Sequence, residues 1–210
     1  MTDVLIPGGR DVRATLDEPE TADEVDAIVI ACPPHPQHGG SRTDQRLMAV
    51  SEALREAGIA CLRFDYGEWD DGYGEREDVR NAIRWAADRD DGEGADDRPI
   101  GVFGYSFGAS QALLASATVD RPVAGVAALA PTATLEEDLD AVEALSTLES
   151  PALILYGERD TTVDWEPVVE RARERGDDVV SLPADHFFLG THDELSQEVV
   201  DFFERLFVRP

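Results

Sequence analysis

The sequence contains no lysine, and all 18 of its basic residues are arginine. Against them stand 45 acidic residues, leaving a formal net charge of −27. A surface this negative repels phosphate backbones and anionic lipid, which argues against nucleic-acid and membrane-surface partners. Long hydrophobic runs are missing too. None approaches the ~20 residues needed to cross a bilayer. The opening Met1-Thr2-Asp3-Val4 has no basic segment leading into an apolar one, so no secretory signal is expected and the expected compartment is the cytoplasm. Cysteine is scarce: Cys32 and Cys61 lie in apolar, strand-like runs and read as buried thiols, not as a disulfide framework. Neither an internal repeat nor a linker long enough to separate domains is present, so residues 1–210 read as one domain.

What is present is sufficient for a core. A chain of 210 residues with 42% apolar content buries roughly 70% of the surface its unfolded form exposes, without help from disulfides or metal. The acids run along the whole chain and do not collect in one tail. They form either a solvated coat or an adaptation to a salty cytoplasm. At about 1 M salt the screening length falls to about 3 Å, which makes the self-repulsion tolerable. In this balance of Asp and Glu over lysine the chain resembles proteins of halophilic archaea.

Short, continuously apolar runs at residues 27–31, 59–64, 100–103, 123–130 and 152–156, with a weaker one at 179–182, predict strands covered on both faces. Helical patterns lie between them. One spans 43–57, with Leu47, Val50 and Leu54 on one face and Gly58 closing it. Others span 75–88, from just after Ser106 to 118, 135–148, and 193–207. The acidic residues 88–98 read as a solvated loop. Alternation of strand and helix implies a mainly parallel sheet with helices on both faces. The first 16 residues, turning at Pro7-Gly8-Gly9, predict an edge hairpin. The connection from 131 to 151 has room for one helix and no lid domain.

Gly104-Tyr105-Ser106-Phe107-Gly108 fits G-x-S-x-G between a strand and a helix. In that context the serine occupies a tight turn at the strand's end, and the two glycines let the turn close. The helix N-terminus offers free N–H groups and a partial positive charge. The N–H of Phe107 would then donate to a developing oxyanion.

A serine hydroxyl needs a base, and the base needs an orienting acid. With this turn the partners follow in the chain order serine, acid, histidine. Of His35, His38, His186 and His192, only the last two follow Ser106. His192 reads as an exposed first-turn residue in a capping box begun by Thr191. His186, in a loop between the last strand and the last helix, is the candidate base. For the acid, Asp160 follows the strand at 152–156, with Glu158, Asp164 and Asp138 as rivals. A second oxyanion donor is expected from the loop at 32–40. Pro33, Pro34 and Pro36 have no N–H, which leaves His35, the favoured choice, or Gln37. His35 and His38 have no cysteine or acid at a ligand-like spacing, so no metal site is expected. Tyr66 and Trp69, in the loop after residue 64, with Tyr105, Phe107, Phe187 and Phe188, suggest an aromatic substrate pocket. Glu68, Asp70 and Asp71 of that loop would disfavour anionic acyl groups.

Taken in order, Pro-His-Pro-Gln-x-Gly-Gly at 34–40, Gly-Tyr-Ser-Phe-Gly-Ala at 104–109, Tyr-Gly-Glu-Arg-Asp at 156–160 and Asp-His-Phe-Phe at 185–188 resemble the small, cap-less α/β-hydrolases related to dienelactone hydrolases. The resemblance spans roughly residues 25–208. It implies the α/β-hydrolase fold, Ser106 as nucleophile, His186 as base and Asp160 as orienting acid. Relatives commonly carry a histidine where this chain has Pro33. Dienelactone hydrolases proper use a cysteine nucleophile where this chain has Ser106, so that particular activity is not implied. The function expected is hydrolysis of a small acyl ester or thioester through an acyl-enzyme, without a metal or organic cofactor. The rivals are a non-catalytic binding protein of the same fold and an acyltransferase using the same three residues.

Overall fold

The computed structural model describes residues 1–19, 27–89 and 98–207. The chain opens with β1 (Thr2–Ile6) and β2 (Val12–Asp17), the predicted hairpin. Strand β3 (Ile28–Cys32) leads through a 3₁₀ turn (Pro36–His38) into α1 (Gln45–Glu56) and β4 (Ala60–Asp65). Next come α2 (Tyr73–Ala87), β5 (Ile100–Tyr105), α3 (Phe107–Ser116), β6 (Gly125–Leu129) and α4 (Ala141–Thr147). The chain ends with β7 (Ala152–Gly157), α5 (Glu166–Arg175), β8 (Asp178–Leu182) and α6 (His192–Phe207).

The eight strands form one sheet in the order β1-β2-β4-β3-β5-β6-β7-β8. β1 and β2 run antiparallel at one edge, and the ladder from β4 through β8 is parallel. Every residue of β3, β5 and β6 is buried. That burial is why these strands read as unbroken apolar runs. Helices α1 and α6 cover one face, through Leu47, Val50 and Leu54 and through Leu195, Val199, Phe202 and Phe203. Helices α2 to α5 cover the other, through Val79, Ile83, Leu113, Leu145 and Val168 among others. Each large side chain fully buried this way contributes about 1.5–3 kcal/mol. From Phe107 to Ala115, α3 is buried on every side, as a helix apolar all round must be.

Two elements differ from expectation. The helix between β6 and β7 is only seven residues long, because an isolated bridge between Thr134 and Asp140 closes residues 135–139 into a tight turn ahead of it. The whole connection adds no lid. Helix α5 has little apolar content: only Val168, Val169 and Ala172 are buried, on an otherwise charged surface. Pro167 suits its first turn, and Gly176 at φ +80° ends it. The segment expected to be a solvated loop, 88–98, lies mostly outside the described residues. Cys32 and Cys61 are buried and unpaired, and burial pushes both thiols up. Among the described residues, no helix is long and apolar enough to cross a membrane.

Successive connections reverse direction at one place in the sheet. From β3 the chain moves outward to β4, then returns to place β5 on the other side of β3. The loops after β3 and β5 therefore part company at the C-terminal edge of the sheet and leave a crevice there, the position where open α/β sheets bind ligands.

Candidate active site

Ser106 sits in that crevice, at the end of β5. Its backbone is at φ +57°, ψ −120°, a conformation that costs about 1–3 kcal/mol for a residue with a side chain. Two features hold it there. The Ser106 N–H donates to the Leu129 carbonyl of β6 at 2.8 Å, and its own carbonyl accepts from Ala109 and Ser110 in the first turn of α3. The flanking glycines leave no room for a side chain. A Cβ on Gly104 would lie 2.1 Å from the Gly108 carbonyl oxygen, and one on Gly108 would lie 2.3 Å from that of Cys32. Both obstacles are backbone and cannot swing away. Gly104→Ala is accordingly expected to cost about 3 kcal/mol or more, lowering Tm by roughly 6–12 °C in a thermal melt.

The Oγ of Ser106 lies 3.0 Å from Nε2 of His186, and Nδ1 of His186 lies 2.7 Å from Oδ2 of Asp160. Three residues far apart in sequence thus form one hydrogen-bonded row. The Asp160 side chain has no exposed surface, and its Oδ1 accepts from the Thr162 N–H at 2.8 Å. With Nδ1 donating to this carboxylate, Nε2 is left as the acceptor facing the serine. The other acids considered at this rim, Glu158, Asp164 and Asp138, are exposed, and Glu158 accepts from Ser181 instead.

The row opens into a cavity of about 550 Å³. Pro34, His35, His38, Thr132, Leu135, Thr162 and Val163 line it, together with Tyr105, Phe107 and Phe187. The N–H groups of Phe107 and His35 make no hydrogen bond among the described residues. That of Gln37 is taken, donating to His35 Nδ1 at 3.3 Å, which leaves His35 as the open donor in its loop. The His35 ring stacks on His38 at 4.4 Å between centroids and packs against Trp69 and Phe107. Burial, with His38 beside it, holds its pKa below the usual range. No group of three or more potential metal ligands occurs among the described residues.

Tyr105 and Phe187 line the cavity, whereas Tyr66 and Trp69 do not. Tyr66 is a core residue: its hydroxyl donates to the Pro33 carbonyl, and its ring meets Phe107 edge-on. Trp69 backs the His35 ring from behind. The reason lies on α2. Buried Asp78 and Glu75 accept the N–H groups of Gly67, Asp70 and Gly72, drawing the 65–72 loop down onto the helix and away from the rim. Glu68, Asp70 and Asp71 go with it, so they do not face the substrate space. Phe188 is buried too, edge-on to Tyr105 in the core beneath α1 and α6. His192 is half-buried, and the Thr191 hydroxyl donates to the Phe188 carbonyl in place of capping the helix. Sequence reasoning missed Asp44 and Arg46 at the cavity wall. One signal pointed there: an arginine in the first turn of a helix opposes the helix dipole.

No protein-family model matches the sequence, and no curated protein matches it. Solved structures do. An α/β serine hydrolase homologue from Coxiella burnetii is 29% identical over 96% of both chains, with a TM-score of 0.76. A putative α/β hydrolase of unknown function from Agrobacterium tumefaciens is 26% identical over the full length of both, with a TM-score of 0.80. An α/β serine hydrolase without a lid from Xanthomonas campestris is 24% identical, with a TM-score of 0.81 over 100% of this chain and 96% of that one. The chain has the fold of the small, lidless α/β-hydrolases. With no lid over the crevice, the shape of the site rests on the loops after β3, β6, β7 and β8, the turn from β5 into α3 and the start of α1.

Proposed function

We propose that the protein is a serine hydrolase that cleaves a small acyl ester or thioester through an acyl-enzyme. The observation that carries this reading is the Ser106–His186–Asp160 row, 3.0 Å and 2.7 Å between successive partners, at the floor of an open cavity. In the first half-reaction Ser106 Oγ attacks the carbonyl carbon as His186 Nε2 takes its proton. The two N–H groups of Phe107 and His35 receive the charge that develops on the carbonyl oxygen, and each such donor is worth about 3 kcal/mol in the transition state. The tetrahedral centre collapses, the bond to the alkoxide or thiolate breaks, and His186 protonates the leaving group. Water then repeats the sequence: His186 removes its proton, the hydroxide attacks the acyl carbon, and the acid departs as Ser106 recovers its proton. Asp160 fixes the imidazole tautomer and stabilises the imidazolium throughout. Every proton and electron pair in this scheme comes from these side chains, the substrate or water.

Mostly apolar walls favour an uncharged acyl group. The kinship to enzymes related to dienelactone hydrolases belongs to this proposal through the order of the four motifs. So does operation in a salty cell interior, which the lysine-free acidic composition supports. A fluorophosphonate probe tests the reading. Wild-type protein in molar KCl is expected to label at Ser106 and to release p-nitrophenol from p-nitrophenyl acetate or butyrate. Folded wild type that neither labels nor turns over an ester would leave a binding protein of the same fold. Acyl transfer to an added alcohol outrunning hydrolysis would make it an acyltransferase.

A further inference from the structure

Arg46 occupies the second position of α1, where a cation gains nothing from the helix dipole. Its guanidinium is nevertheless tightly held. It forms an ion pair with Asp44, the residue that caps the same helix through its other carboxylate oxygen. Nη1 donates to the Phe187 carbonyl at 3.2 Å, 141 positions along the chain. The guanidinium carbon stands 4.4 Å over the ring of Tyr105. Tyr105 in turn donates its hydroxyl to the His186 carbonyl at 2.9 Å. Burial pushes the phenol up to about 12, so it stays protonated and remains a donor.

Two consecutive carbonyls of the loop that carries the candidate base, His186 and Phe187, are thus gripped by two side chains stacked on each other. One of these belongs to the residue immediately before Ser106. Elsewhere the loop is anchored by Phe188, buried in the core, and by the Asp185 carboxylate, which accepts the Phe187 N–H. The Phe187 side chain itself is 54% exposed, so the Arg46 and Tyr105 contacts are the ones that reach the carbonyls of His186 and Phe187. On the Asp160 side the imidazole is fixed by its ring nitrogen, but a ring is only as well placed as its backbone.

We infer that Tyr105 and Arg46 are positioning residues, a clamp that holds the backbone of the His186 loop at bonding distance from Ser106. The inference rests on the serine-hydrolase reading. The clamp acts on proton transfer and not on substrate affinity, so its loss falls on kcat. A displacement of the base of about 1 Å costs on the order of 100-fold. Tyr105→Phe and Arg46→Met remove the donors while keeping most of the packing. Each is expected to lower kcat for p-nitrophenyl acetate by about 10- to 100-fold, with KM changed by less than about twofold. The rate of fluorophosphonate labelling falls in parallel, and Arg46→Lys, which keeps a donor and a charge, recovers part of the loss. Thermal melts confirm that the variants are folded under the assay conditions. Folded variants with wild-type kcat and labelling rate would overturn the clamp while leaving the hydrolase reading intact. So would a rise in KM at unchanged kcat, which would make Arg46 a substrate contact. Wild type that does not label at all overturns both.

Discussion

Replacing Ser106 with alanine will lower kcat/KM for p-nitrophenyl esters by on the order of 10⁵-fold or more, and His186→Ala will do the same. The double variant will be no worse than either single one. This non-additivity is the informative part. Oγ and Nε2 stand 3.0 Å apart and act as a unit, so once one is gone the other has nothing left to lose. In the proposed mechanism the residual rate is left to the N–H groups of Phe107 and His35 and to binding. Steady-state kinetics of the three variants decides the matter: losses that multiply would mean the two side chains work independently. Asp160→Asn is expected to cost about 10⁴-fold, for a reason specific to this site. Oδ1 already accepts from the Thr162 N–H, so the new amide will keep its oxygen there and turn its NH₂ toward Nδ1. That forces the ring proton onto Nε2, where it faces Ser106 as a donor and cannot accept. Binding of a non-hydrolysable phosphonate should change little in the same variant.

Much of this architecture was legible because burial on both faces erases alternation. The unbroken apolar runs of β3, β5, β6 and β7 could be nothing but interior strands once helices lay between them. Ser106 was legible because two glycines and a strand-to-helix transition leave a signature in five consecutive residues. Helix α5 was not, since only three of its ten residues face the core and its pattern is dominated by charge. The direction of the 65–72 loop was invisible for a different reason. Glu75 and Asp78 look like ordinary helix-surface acids, yet Arg10, from the hairpin at the far end of the chain, pairs with both, and they are fully buried. Only the assembled sheet reveals that these carboxylates take the loop's N–H groups and turn Tyr66 and Trp69 away from the substrate. The clamp of Arg46 and Tyr105 depends on the same kind of long-range closure. Its partners lie up to 141 positions apart, beyond the reach of any local pattern.

The second large effect concerns salt. Raising KCl from about 0.1 M to about 2 M will raise Tm by at least about 10 °C, which at ~3 °C per kcal/mol corresponds to roughly 3 kcal/mol of relieved repulsion. Two electrostatic effects oppose each other here. Salt weakens favourable pairs such as Arg13–Asp11, whose side chains are about 70% exposed; pairs of that kind contribute only about 0–1 kcal/mol each. Salt also screens the repulsion among carboxylates, and that term is larger. Even with every arginine assigned one acid, 27 carboxylates remain without a partner. At about 0.1 M the screening length is about 10 Å, so neighbouring acids on the surface still sense one another; near 1 M it is about 3 Å and they do not. The buried pair of Arg63 with Asp17, both under 10% exposed, is shielded from the added ions and holds β2 to β4 at any salt concentration. The gain should therefore be nearly as large with sodium chloride as with potassium chloride, because screening depends on ionic strength and not on the cation. A melting temperature that stays flat or falls across this range would mean that the acidic coat is merely solvated, and that self-repulsion does not set the stability of the fold.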